Sequence, residues 1–245
     1  MHSPGNTNPD QDRGEQVSLP HSPLIVLASA SPRRRQLLAL MGLSFQVIAS
    51  EVDEDSHPGE PARELALRLS SAKAEAIAMI HPEALVIAAD TLVVLDDELL
   101  GKPSNEASAF EMLSRLCGRQ HQVYSGLTLI HADQRRRCEQ VAVTSVTMRD
   151  YTEDEIRRYV VTGDPMDKAG AYAIQYPEFD PVARVEGCYA NVMGLPMCHV
   201  YRALSLWGTK PPIHPLDCCP QAVENGCIWS VGIIGATVAE WDDLS

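Results

Sequence analysis

The segment Leu24-Ile25-Val26-Leu27-Ala28-Ser29-Ala30-Ser31-Pro32-Arg33-Arg34-Arg35 decides how the rest of the chain reads. Residues 24–28 have the length and unbroken apolarity of a strand buried on both faces. The small residues Ser29-Ala30-Ser31 then turn the chain, and a helix is predicted to follow. Ser31 is its N-cap, Pro32 suits the first helical position, Leu37, Leu38 and Met41 form the inward stripe, and Gly42 ends it. A strand, a small-residue turn and a capped helix bring unpaired backbone N–H groups to one point, which suits a phosphate. Arginines in a first helical turn oppose the helix dipole unless an anion offsets them. Neighbouring helical residues diverge, so one or two of Arg33, Arg34 and Arg35 are expected to meet that anion while the others face solvent or carboxylates.

Working outward, Leu65, Leu69, Ala72 and Ala76 predict a helix over 61–79, with Lys73 projecting beside its apolar stripe. Residues 85–89 read as a second buried strand ending at Asp90-Thr91, and 91–95 with 98–100 as a hairpin around Asp96-Asp97 leading to Gly101-Lys102-Pro103. A helix is expected over 106–116, strands near 122–131 and 138–149, a helix capped by Thr152 and Glu155 running to Val161, and a last helix starting at Pro196. Arg135-Arg136-Arg137 reads as a solvated hairpin tip. The chain divides into a flexible tail over 1–22, a folded α/β domain over 23–208 and a C-terminal extension over 209–245 without an evident role. In that extension the apolar run 228–238 could pack as a strand pair or order weakly.

Composition narrows the function. A formal charge of −13, from 33 acidic against 20 basic residues, opposes bulk attraction to nucleic acid or anionic lipid. No stretch reaches the roughly 18 apolar residues of a membrane span, and the opening residues lack a secretory apolar core, so a cytoplasmic location is expected. Seven cysteines without a regular framework read as free thiols. Cys218, Cys219 and Cys227 with His214 lack the paired spacing of a zinc site.

Asp90, directly after an apolar strand, stands where α/β sheets place ligands, although strand-end aspartates also serve turns. Glu54, in the acidic loop 51–55, can join it on a metal or simply be solvated. Lys73 can snorkel beside its stripe and Lys102 can be an exposed loop lysine. Together they supply what phosphoryl chemistry requires: cations for a polyphosphate, and carboxylates for a metal and a water.

The blocks 27–34, 88–91 (Ala-Ala-Asp-Thr), 101–103 (Gly-Lys-Pro), 167–175 (Asp-Lys-Ala-Gly-Ala-Tyr-Ala-Ile-Gln) and 187–196 resemble, in order and separation, the motifs of Maf nucleotide pyrophosphatases. The resemblance spans about residues 24–206. It implies a two-lobed α/β fold similar to inosine triphosphate pyrophosphatases, with a long twisted mixed sheet and a central cleft. It also implies hydrolysis of a nucleoside triphosphate to monophosphate and pyrophosphate with Mg²⁺ or Mn²⁺. On it, Asp90 is the expected general base, with Lys73 and Lys102 beside it. Ser29, Arg33 and Arg34 bind substrate, and Glu54 and Asp90 hold the metal. Arg34, Thr91 and Gln175 match the subgroup acting on dTTP and UTP. Purine-directed hydrolysis and a non-catalytic, nucleotide-binding regulator of cell division are the alternatives; the expected partners are the nucleoside triphosphate and a second copy of the chain in a homodimer, with no nucleic acid and no membrane. One departure stands out: Tyr176-Pro177 follows Gln175 where glycine is expected.

Overall fold

The computed structural model describes residues 23–235. The expected tail over 1–22 and the last residues of the run 228–238 lie outside the described residues. Ile25–Leu27 (β1) leads through the small-residue turn into Pro32–Leu40 (α1), as predicted. Ser31 caps α1, its side chain accepting from the Arg34 N–H at 3.4 Å. Gln46–Val47 (β2) runs parallel to β1, and Ala62–Ile80 (α2) leads into Leu85–Leu95 (β3). Glu98–Leu100 (β4), Glu106–Leu116 (α3), Gln120–His131 (β5), Arg136–Met148 (β6) and Glu153–Val161 (α4) follow. After two short 3-10 turns come Val182–Glu186 (β7), Tyr189–Val192 (α5) and Met197–Leu206 (α6). The sheet order is β2-β1-β3-β5-β6-β7, with β4 on the far half of β3. β1 is parallel to β2 and β3; the remaining pairings are antiparallel, so the sheet is mixed and open.

Alternation along β3 sorts the core. Leu85, Ile87 and Ala89 face α1 and α6, whereas Val86 and Ala88 face Ala74, Ile77 and Ala78 of α2. Beyond Thr91 the same strand enters a separate cluster, where Val93 and Leu95 pack with Leu113 of α3 and with Ile156 and Tyr159 of α4. Two lobes therefore share β3 and β5. Helix α2 lies almost on the backbone of β5: a Cβ added to Gly126 would stand 2.0 Å from the Ala66 carbonyl oxygen.

Three expectations are corrected. Leu85 to Leu95 is one continuous strand, so Asp90 is not at a strand end. The antiparallel partner β5 carries β3 through Asp90, which pairs with Gly126, while the parallel register with β1 ends at Leu27 opposite Ile87. Lys73 lies within the buried stripe of α2 rather than beside it, because the inward face runs through Leu65, Leu69, Lys73 and Ile77. The extension over 209–235 contains no strand pair: it forms Pro215–Cys218 (α7), Pro220–Asn225 (α8) and Trp229–Gly235 (α9). Helices α7 and α9 pack against α6 and α8 against α5, and Arg202 donates to the Ile233 carbonyl at 3.0 Å. At the tip of the β5–β6 hairpin, Arg137 pairs with Glu75 and Glu139, and Arg136 donates to the Trp207 carbonyl.

Candidate active site

A cleft of about 710 Å³ opens where β1 stops and β3 continues. Its lining includes Ser29, Arg33, Arg34, Glu54, Lys73, Asp90, Thr91 and Lys102. Parity on β3 gives Asp90 the α2 face, together with Val86 and Ala88. There the Lys73 ammonium meets an Asp90 carboxylate oxygen at 2.5 Å and a Glu54 oxygen, also at 2.5 Å. Lys73 and Asp90 are buried, whereas the Glu54 side chain is 59% exposed. The Lys73 hydrogen bond is the first reason that the Glu54 pKa is lowered, and Lys102 and Arg34 pull it the same way against partial burial.

The acidic loop that carries Glu54 is tied to α2. Glu60 takes a two-point pair from Arg68, at 2.7 and 2.9 Å, and Arg68 also donates to the Asp55 carbonyl. Two hydrogen-bonded donors, Arg68 and the His57 N–H, lower the Glu60 pKa to about 2.

The opposite wall is an arginine clamp. Arg34 donates through Nε to the Gly194 carbonyl at 2.8 Å, and through its two terminal nitrogens to Thr91 Oγ1 at 3.1 Å and Ser29 Oγ at 3.3 Å. Thr91 also touches the buried Ser125 hydroxyl at 2.7 Å. Burial lowers the Arg34 pKa, with Asp90 pulling it back up. Arg33 lines the cleft, whereas Arg35 is exposed and lies outside the lining, so the first turn of α1 splits as helical divergence demands. Lys102 enters from its loop, which the Gly170 N–H fastens by donating to the Gly101 carbonyl at 3.1 Å.

The structure therefore brings eight of the nine expected residues to one cleft. Gln175 stands apart: it is exposed in the turn after Ala173 and is not among the lining residues. Tyr176, in place of the expected glycine, stacks obliquely on Tyr159 at 4.9 Å and anchors that turn to the α4 lobe. Sequence reasoning passed over Ser125, Gly194, Asp167 and Tyr172. Asp167 and Tyr172 line the cleft and lie inside a block already singled out. Tyr172 is held by its hydroxyl against His121 Nε2 at 2.8 Å. Lys168 of the same block is buried and committed to Asp164 and Asp167. Ser125 shows only as a polar residue interrupting the apolar run of β5.

The chain matches the family described as "Maf-like protein" over residues 24–207. It belongs to the Maf family. A dTTP/UTP pyrophosphatase of Desulforamulus reducens is 45% identical over 186 residues, covering 76% of this chain and 97% of its own length. The dTTP/UTP pyrophosphatase of Syntrophus aciditrophicus is 47% identical over 185 residues, 76% of this chain and 90% of that protein. That of Carboxydothermus hydrogenoformans is 46% identical over 184 residues, 75% and 98% respectively. The Maf region thus holds every residue of the cleft, and α7 to α9 lie beyond it. No helix among the described residues is long and apolar enough to cross a membrane.

Proposed function

We propose that this Maf protein hydrolyses dTTP and UTP, in the cytoplasm, to nucleoside monophosphate and pyrophosphate. The observation that carries the reading is a buried Asp90 bridged by Lys73 to the exposed Glu54, with the Arg34 clamp lining the same cleft. Relatives named for dTTP and UTP give the substrate class.

In this reading Asp90 accepts a proton from a water aligned on the α-phosphorus, and Lys73 holds the carboxylate in place. Arg33 and Lys102 neutralise the polyphosphate, so charge developing on departing pyrophosphate meets cations already positioned. Arg34 is fixed by Ser29, Thr91 and Gly194, which orders one edge of the cleft before substrate enters. A divalent cation fits the donor set: Asp90 and Glu54 offer hard carboxylate oxygens on one side, and Glu54 has the exposure to turn toward it. Mg²⁺ or Mn²⁺ bound there would polarise the phosphate oxygens. Base choice is assigned to Arg34, Thr91 and Gln175; the Gln175 amide offers both a donor and an acceptor to a pyrimidine edge.

A competition assay with dTTP, UTP, CTP, ITP and 7-methyl-GTP tests the proposal. The two named pyrimidine nucleotides should turn over fastest, and faster turnover of ITP or 7-methyl-GTP would reject the assignment.

A further inference from the structure

Strand parity splits two neighbours in the middle of β3 between its faces. Asp90 turns to α2 and Lys73, whereas Thr91 shares its face with Ala89 and looks toward α1, where Arg34 meets it. In the β3–β5 register Thr91 stands directly opposite Ser125, so their hydroxyls form a cross-strand pair at 2.7 Å. Ser125 is fully buried and is not among the residues lining the cleft. Its Oγ also approaches the Asn191 carbonyl oxygen at 3.4 Å.

Hydrogen-bond chemistry gives this row a direction. A guanidinium can only donate, so Thr91 Oγ1 accepts from Arg34 at 3.1 Å. A hydroxyl that accepts from a cation is the stronger donor in its turn, and Ser125 Oγ at 2.7 Å is a nearer acceptor for the Thr91 proton than the Gly194 carbonyl at 3.4 Å. Ser125 then gives its own proton to Asn191. That carbonyl is held in place: the fully buried Asn191 amide donates to Thr144 Oγ1 at 2.9 Å and to the Val123 and Ala142 carbonyls at 3.1 and 3.3 Å, tying α5 to β5 and β6. The Asn191 carbonyl also receives the Gly194 N–H at 2.8 Å, and the Gly194 carbonyl receives Arg34 Nε at 2.8 Å. Two arms of the arginine clamp therefore lead back to one residue anchored in the sheet.

We propose that Ser125 is a positioning residue for nucleotide choice, on the reading above that Arg34 and Thr91 take part in it. The Ser125 oxygen takes the Thr91 proton, which leaves the Gly194 carbonyl to Arg34 and holds the guanidinium in one orientation. Without that oxygen the Thr91 proton turns to the Gly194 carbonyl and competes there with Arg34 Nε. Discrimination between bases then falls, while Asp90 and Lys73 on the other face of β3 keep their places.

The test pairs kinetics with hydrogen exchange of the Arg34 Nε–H, followed by ¹⁵N NMR and assigned by its loss in Arg34→Lys. In Ser125→Ala that proton should exchange about 3–10-fold faster than in the parent chain, and the kcat/KM preference for dTTP over ITP should fall by about as much, mainly through KM. Thr91→Val should lower the preference at least as far, and adding Ser125→Ala to it should change nothing further, because the two hydroxyls act as one row. Ser125→Thr, which keeps the oxygen, should behave as the parent does. If Ser125→Ala fails to fold, Ser125→Cys takes its place, keeping the shape with only a weak acceptor. An unchanged Arg34 exchange rate, or losses that add in the double variant, would overturn the proposal. A parent chain without a preference for dTTP over ITP would instead reject the assignment of base choice, and the exchange rates would then decide whether Ser125 holds Arg34.

Discussion

Asp90 owes its position to a coincidence of two registers. The parallel pairing with β1 ends at Ile87, while the antiparallel pairing with β5 carries β3 onward, so the carboxylate sits mid-strand yet at an open edge. Lys73 reaches it because the inward face of α2 is 65-69-73-77, which buries an ammonium that only a carboxylate partner makes tolerable. Replacing Asp90 by Asn should preserve the fold and lower kcat by at least ~100-fold, the scale of a positioned general base. Steady-state kinetics beside circular dichroism checks this, and near-normal kcat would assign the water to another group. Glu54 supplies a pH signature. Its folded pKa is lowered, first by the Lys73 hydrogen bond, so its stabilising contribution is present above the ordinary carboxylate range and is lost as pH falls through the depressed value. In Lys73→Met the Glu54 carboxyl should titrate at higher pH than in the parent chain, and carboxyl-selective NMR reads the difference.

Helix α2 and strand β5 meet at Gly126, directly across the ladder from Asp90. Gly126→Ala would press a methyl onto the Ala66 carbonyl and push α2 off the sheet, costing about 1–3 kcal/mol and moving Lys73 away from Asp90. Urea denaturation should show the first effect and kcat the second; unchanged values for both would mean that the helix has room to shift. Much of this level was readable from the chain. Apolar runs, the Ser31 cap, the capping box at Thr152 and the Asp96-Asp97 turn all mark real boundaries, because each depends on residues close in sequence. Strands β2 and β7 left no such mark, since two exposed residues and the Val-Ala-Arg-Val-Glu stretch become strands only by pairing with distant partners. The same limit hid Ser125 and the Arg68–Glu60 brace, and it made the run after 228 ambiguous until α6 gave it a surface.

At the scale of the whole molecule, the extension closes one lobe. Ile213 donates its N–H to the Met41 carbonyl, its side chain presses on Gly42, and Cys219 joins the core beneath α6. Removing residues 209–245 should leave the lining of the cleft in place but lower the melting temperature by about 5–10 °C, the shift expected for a loss of roughly 2–3 kcal/mol in a domain of this size. Calorimetry with and without the segment measures it, and an unchanged melting temperature would show that these helices contribute nothing to the core. On the proposed function, the residues of the cleft direct water to the α-phosphorus. Hydrolysis of dTTP with Mg²⁺ in water enriched in heavy oxygen, followed by mass spectrometry of both products, tests it most directly. The proposed function predicts the label in the monophosphate and none in the pyrophosphate; label in the pyrophosphate, or orthophosphate and dTDP as the first products, would contradict it.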